Sequence, residues 1–453
     1  MGLGGGIWVT QNKVLPGAYI NFVSKDRPNG EVTDRGVATL PLELDWGVTG
    51  EVFRVGQDEF QTDSQTIFGY DYGHDKLLPL REIFKKAKTV YCYRLNSDGV
   101  KAKNDLATAK YAGVRGNDIS IGIQTDPDNE GKYIIYTYLT TDGVTKTVDS
   151  QKNIAKMADV EDNDYVTFTK SATLAVAVSK PLTGGTNGSQ VTTKDYQSYL
   201  EYIEKYYFNT MAYASSDEKI QSLLIAFNDR IRSTSNSKFQ LVIFGKEGVN
   251  SEGVISINPS NYVTDSGVER GAMVYWTAGD QASCNINQSC EANEYNGELT
   301  VNTKIKQFDL GLSITKGLYT YHDEIDAASG DMTPHVRVLA DINTFTDFSK
   351  LKNKNFSYNQ GIRVMDNLAI DFSRVFAKYH RGKSDVDDVG LISLWNDGVD
   401  ILQQYNDLHA IKNFNSANLP LPVEGKEENS VYWPIEIDVV YAMSKLYMAV
   451  VIA

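Results

Sequence analysis

The sequence predicts an α/β core, a helix-covered mixed sheet, interrupted by an inserted β-sandwich-like domain, followed by an α+β C-terminal domain and bounded by extended strand arms at both ends. Three observations predict this. Amphipathic helical patterns alternate with short apolar runs on either side of residues 97–180. Within 97–180 short strand patterns follow one another with no long helical pattern between them. Residues 435–453 (IEIDVVYAMSKLYMAVVIA) are β-forming and apolar to the last position.

The N-terminal arm, 1–25, opens on a Gly-rich leader (Gly2, Gly4, Gly5, Gly6) and continues through Ile7, Trp8 and Val9. After Pro16 and Gly17 a second strand pattern over 18–23 includes Tyr19, Ile20 and Phe22. The first part of the core, 26–96, begins with strand-like runs over 33–55, punctuated by Gly36, Gly47 and Gly50. Residues 77–87 then place Leu80, Ile83, Phe84 and Ala87 on one helical face, and 89–95 (TVYCYRL) reads as a strand. The insert, 97–180, offers strands near 119–125, 133–139 and 174–178, and the run PLTGGTNGSQ at 181–190 ends it as a linker.

The second part of the core, 181–350, starts with a helix capped by Thr192 or Thr193, its apolar face carrying Tyr196, Tyr199, Leu200, Ile203 and Tyr207. A second helix over 216–233 carries Ile220, Leu223, Leu224, Phe227 and Ile231, and 239–244 (FQLVIF) reads as a buried strand. A further apolar helix falls within 271–289 and a strand at 335–342. The C-terminal domain, 351–434, is predicted to hold a helix from Asn359 to about Tyr379, apolar through Met365, Leu368, Phe372, Val375, Phe376 and Tyr379. Its other face carries Arg374, Lys378 and Arg381, and with Lys383 and Arg363 the stretch 361–383 has five basic residues against Asp366 and Asp371. A helix over 387–406 follows.

In the last arm, 435–453, Ile435, Ile437 and Val439 alternate with Glu436 and Asp438, the period of a half-buried strand. The run 446–452, with Leu446, Met448 and Val450, is almost continuously apolar, as in a strand covered on both faces. Such terminal strands either complete the chain's own sheet or pair with other chains.

The 453 residues suffice for two to four domains, and 42% hydrophobic with 23% charged residues excludes wholesale disorder. A net charge of -14 argues against general nucleic-acid binding, which needs Lys and Arg to displace counterions. No apolar run is long enough for a membrane span, and the start has neither a basic segment nor a long apolar one, so a protein made inside the cell with reduced thiols at Cys92, Cys284 and Cys290 is expected. The five histidines show no metal-ligand spacing, Cys284 and Cys290 form no CxxC, and a GxSxG elbow is absent. The Asp126 turn begins like a calcium loop but has Thr137 where a bidentate Glu is required. No cofactor, metal or catalytic residue is therefore expected.

Taken in order, several strings form a pattern: a PG-containing arm, GVATLPLELDWG, the inserted β region, LTGG before a helix, WTAGDQAS, DINTF near Asn343, RVMDNLAIDF with YHRGK after it, and a terminal strand. The chain resembles, over nearly its whole length, the contractile tail sheath proteins of myophages and R-type bacteriocins, particularly the compact Gram-positive type. That resemblance implies a core of subtilisin-like shape without a catalytic triad, an outward-facing insert and a C-terminal domain facing the tail tube. It further implies arms that donate strands between subunits, with Tyr19, Ile20, Phe22, Ile435, Ile437, Val439, Leu446, Met448 and Val450 as the strand residues. The implied partners are copies of the chain in stacked, commonly six-membered rings, the tube, and baseplate and tail-terminator proteins, with no direct contact to nucleic acid and no membrane insertion, in a virion tail assembled in the host cytoplasm. The basic face of Arg374, Lys378, Arg381 and Lys383 is then expected to meet acidic groups on the tube. The competing expectation from another class is an acidic, β-rich extracellular hydrolase or carbohydrate-binding protein, for which the 27 tyrosines are the main support.

Overall fold

The computed structural model describes residues 33–325 and 333–451, with the backbone of the two-residue strands Gly5–Gly6 and Ala18–Tyr19. The side chain of Tyr19, together with Ile20 and Phe22, lies outside the described residues. Two compact units emerge: Asp34–Ile370 with Val439–Ala453, and Met1–Thr33 with Asp371–Asp438.

The larger unit is built on a seven-stranded sheet in the order Leu318–Tyr319, Val254–Ile257, Gln240–Phe244, Thr210–Tyr213, Val37–Leu42, Thr89–Arg94, Val52–Gly56. All neighbours run parallel except Val52–Gly56, which pairs antiparallel at one edge. Both faces are covered, so the strands read as unbroken apolar runs: every residue of Gln240–Phe244 is buried. The period of two nevertheless sorts them. Ala38, Leu40, Val242 and Ile255 join the core on one face with Leu80, Ile83, Phe84 and Ala87 and with Met273, Trp276 and Ala282. Leu241, Ile243, Met211 and Tyr213 join the other with Tyr199, Leu200, Ile203, Ile220, Leu224, Phe227 and Ile231.

The helices follow from local chemistry. Gln57–Phe68 (α1) anchors through Phe60 and Phe68, and Leu78–Phe84 (α2) starts at a proline in its first turn. Thr193–Ile203 (α3) is capped at Thr192, whose backbone N–H donates to Asp195. Glu218–Thr234 (α4) is capped by Asp217, which accepts from Lys219 N at 2.8 Å. Met273–Ser283 (α5) is buried almost all round, as its even apolarity requires. Its C-terminal carbonyls at Gln281 and Cys284 accept the Arg35 guanidinium at 3.0 Å each, a cation where the helix dipole is negative. The short Gln307–Thr315 (α6) is the odd one, with Phe308, Leu312 and Ile314 exposed and Ser313 buried.

Helices α2 and α5 touch through backbone. A Cβ built on Gly279 would lie 2.3 Å from the Ile83 carbonyl oxygen, so only glycine permits this approach. Gly279→Ala is expected to cost about 1–3 kcal/mol, as overpacking does, measured by urea unfolding. An unchanged midpoint would mean that the two helices can slide apart.

Inserted into this unit, a sheet ordered Ala177–Pro181, Ile119–Thr125, Tyr133–Thr141, Val144–Ile154 and a small pair, Val166–Phe168 with Ala107–Ala109, enclose Ile119, Ile121, Ile123, Ile135, Leu139, Val166 and Phe168. Asn359–Val375 (α7) then carries the chain from the larger unit into the smaller. The sequence predicted one regular helix to about Tyr379, whereas Phe376–His380 winds as a π-helical turn. His380, buried, holds that turn to the following Asp388–Asp407 (α8) through Nε2 and Asp397, 2.6 Å apart. In the smaller unit Trp433 packs edge-on to Phe372 and covers Gly398, where a Cβ would lie 2.1 Å from the indole. No helix among the described residues is long and apolar enough to cross a membrane.

Candidate functional site

The C-terminal segment is rooted on the larger unit by three of its residues. Tyr441 packs on Tyr358, ring centres 5.6 Å apart, and its hydroxyl passes over Gly361, where a Cβ would come within 2.6 Å. Burial, with Tyr358 alongside, pushes the Tyr441 phenol up to about 12, so it stays protonated at neutral pH. The Ala442 N–H donates to Gln360 Oε1 at 3.0 Å, and Ser444 Oγ donates to Glu291 Oε1 at 2.6 Å. None of these contacts was foreseen in the sequence, although a glycine inside the first turns of α7 was a visible signal.

Beyond the root nothing among the described residues covers the segment. Leu446 is 84% exposed, Met448 75% and Val450 73%, and residues 440–451 belong to no strand. The strand covered on both faces that is expected over 446–452 is not formed within the single chain: through Val451 the run is exposed among the described residues. Earlier in the arm, Ile435, Ile437 and Val439 are half-buried while Glu436 and Asp438 are exposed, the alternation read from the sequence. Asp438 accepts from Asn413 Nδ2 at 3.1 Å.

In the smaller unit, Arg374, Lys378, Arg381 and Lys383 are all exposed. Arg374 pairs at 3.2 Å with Asp371, whose buried carboxylate also accepts from Thr33 N and from the Tyr405 hydroxyl. Lys378 stands 5.1 Å from the Tyr379 ring centre, and Lys383 Nζ donates to the Lys378 carbonyl. Arg363, counted with them in the sequence, is not part of this face. It is buried in the larger unit against Asp341 at 2.8 Å. Periodicity places a charge on a helix but does not tell water from a buried carboxylate.

Among the described residues no three His, Cys, Asp or Glu side chains gather to hold a metal ion. Four domain families match along the chain: the tail sheath protein Gp18 domain III N-terminal region over 35–95, the phage tail sheath β-sandwich domain over 97–187, the phage tail sheath central domain over 189–344, and the phage tail sheath C-terminal domain over 351–453. YqbK of Bacillus subtilis (strain 168) is 30% identical over 452 residues, with 92% of each chain covered.

The chain belongs to the phage tail sheath family.

The structure of the sheath tail protein from Desulfitobacterium hafniense is similar at TM-score 0.77 and 29% identity, covering 94% of this chain and 99% of that one. The helical sheath of the anti-feeding prophage in its contracted state shares the fold at TM-score 0.54, with 10% identity over 98% and 99% of the two chains. This tail sheath protein is thus a structural component of a contractile phage or phage-like particle and not an enzyme. The reading as a hydrolase or carbohydrate-binding protein falls. The tyrosines that suggested it serve the packing: Tyr199, Tyr319, Tyr321 and Tyr405 are among the largest fully buried side chains.

Proposed function

We propose that this sheath protein polymerises with copies of itself as stacked, commonly six-membered rings around a tail tube, and that shortening of the stack drives the tube through a target envelope. The observation that carries the reading is the uncovered apolar run after the Tyr441 root, which needs a surface from a neighbouring subunit. In this reading Leu446, Met448 and Val450, with Ile435, Ile437 and Val439 before them and Tyr19, Ile20 and Phe22 at the other terminus, are the donated strands. A groove of about 800 Å³ in the smaller unit, lined among others by Ile411, Phe414, Leu419 and Pro434, offers an incoming strand apolar cover.

The domain limits of the proposal are arms at 1–25 and 435–453, a core of 26–96 with 181–350, an outward-facing insert at 97–180 and a tube-facing domain at 351–434. The core has subtilisin-like layering without a triad. Baseplate and terminator proteins bound the stack, and assembly takes place in the host cytoplasm.

Arg374, Lys378, Arg381 and Lys383 are assigned to the tube. Exposed charges bind weakly and are screened by salt, which suits a contact that must release when the sheath widens. Reversing Arg374 and Lys378 to Glu is expected to weaken tube-templated assembly by about 2- to 5-fold per lost pair at low salt, with the difference vanishing at high salt. Electron microscopy of chain mixed with tube protein reads this out, and equal assembly by both chains at low salt would remove the basic face from the proposal.

A further inference from the structure

Helix α5 ends at Cys284, whose N–H donates to the Asp280 carbonyl at 2.9 Å. The loop that follows curls back, and Cys290 points its thiol at the same carbonyl, with Sγ 3.9 Å away. Cys284 Sγ in turn donates to the Gln288 carbonyl at 3.6 Å. Both cysteines therefore converge on one carbonyl, that of Asp280, one through its backbone N–H and the other through its thiol. The loop is pinned in this form, because Cys290 N donates to Asp341 at 3.0 Å and the Gln288 carbonyl accepts from Arg363 at 2.8 Å. Access is unequal. Cys284 lines a cavity of about 620 Å³ together with Lys86, Asn287, Glu291 and Met443, whereas Cys290 lies behind it, fully buried.

We propose that Cys284 and Cys290 are a dithiol–disulfide modification site, closed by a small-molecule disulfide entering through this cavity, which locks the seat of the C-terminal segment. Cys284 is the attacking sulfur because its side chain lines the cavity through which the small disulfide enters, where its thiolate can be reached. Cys290, fully buried and not part of the cavity lining, is the resolving thiol that acts second. Cys92, buried in the strand Thr89–Arg94, is pushed up by burial alone and serves as the inert control.

The Cys284 thiolate attacks one sulfur of the small disulfide, whose S–S bond breaks, and one small thiolate leaves and takes up a proton. Cys290 then gives its proton to solvent and attacks Cys284 Sγ in the mixed disulfide, expelling the second small thiol. Two protein thiols are oxidised and one disulfide is reduced to two thiols. The closed ring fixes the loop next to Glu291, which holds Ser444, and fixes the cavity wall shared with Ala442 and Met443. The consequence for assembly rests on the proposed role of the arm, but the chemistry does not.

The test incubates the purified full-length chain with oxidised glutathione and follows intact mass and peptide maps. The expected product has lost about 2 Da, the two thiol hydrogens, contains a Cys284–Cys290 crosslinked peptide and retains a free Cys92. Cys290→Ser is expected to stop at a stable glutathione adduct on Cys284. A wild-type chain that stays fully reduced, or that itself stops at the adduct, would overturn the site. Trypsin cleavage after the exposed Lys445 reads the lock, and the crosslinked chain is expected to be cut at least about threefold more slowly. Equal rates in the crosslinked and reduced chains would overturn the lock while leaving the sheath reading untouched.

Discussion

Removing residues 444–453 is expected to leave the sheath protein folded and to abolish its assembly, a larger functional effect than any surface substitution should have. The cut spares Tyr441 and Ala442, which pack on α7, gives up one surface hydrogen bond from Ser444 to Glu291, and removes Leu446, Tyr447, Met448, Val450 and Val451, which are exposed in the single chain. The melting temperature of the free chain should therefore hardly move. In an assembly, by contrast, strand hydrogen bonds at about 1 kcal/mol net each only offset the ordering of the backbone at about 1–2 kcal/mol per residue. Docking is decided by burial of Leu446, Met448 and Val450, at about 1.5–3 kcal/mol for each. Losing all three should raise the concentration needed for assembly by at least about 10³-fold. Negative-stain microscopy should find hollow helical tubes from the full chain, alone or on added tube protein, and dispersed particles from the shortened one. Tubes from the shortened chain at the same concentration would end the strand-donation reading, and Leu446→Asp within the intact chain separates loss of burial from loss of length.

The elements that sequence reading found are those where burial and period agree. FQLVIF became a strand buried at all five positions of Gln240–Phe244, and the faces read for the helices at 193 and 218 are those packed on the sheet. Helix α1 was missed because QDEFQTDSQTIF offers only Phe60, Ile67 and Phe68 as large anchors in a polar surround. Helix α6 was missed for the opposite reason, since its apolar Phe308 and Leu312 face outward. The strings that carried the family resemblance have a shared physical meaning that patterning alone could not reveal. WTAGDQAS supplies Gln281, DINTF supplies Asp341, and RVMDNLAIDF supplies Arg363 and Asn367. These side chains, far apart in the chain, meet in one buried polar network with Arg35. A buried network constrains every member's identity, whereas an apolar core accepts substitutes of similar volume.

The centre of that network is where a single substitution should do most damage to the fold. Asp341 Oδ2 accepts from Arg363 at 2.8 Å and from Cys290 N at 3.0 Å, while Oδ1 accepts from Gln281 at 2.7 Å and Asn359 at 2.9 Å. Both side chains of the ion pair are almost completely buried, at 1% and 3% exposure. Burial by itself would raise the Asp341 carboxyl, but the Arg363 charge and these hydrogen bonds outweigh it and hold the group below the ordinary carboxylate range. Replacing Asp341 by Ala leaves the guanidinium in the core without its counter-charge, and about 3–5 kcal/mol of stability should be lost. Replacing both partners, as Asp341→Leu with Arg363→Met, should recover most of it, because an apolar pair carries no desolvation cost. The lowered folded pKa sets the sign of the pH effect. The carboxylate's contribution is complete above its unfolded value of about 3.9 and is lost as pH falls through the lower folded value. Urea midpoints of the wild type should therefore fall more steeply below about pH 4 than those of the double variant. A single variant as stable as the wild type, or a double variant less stable than either single, would show that the network's neutral hydrogen bonds, and not the paired charges, hold α5 to α7.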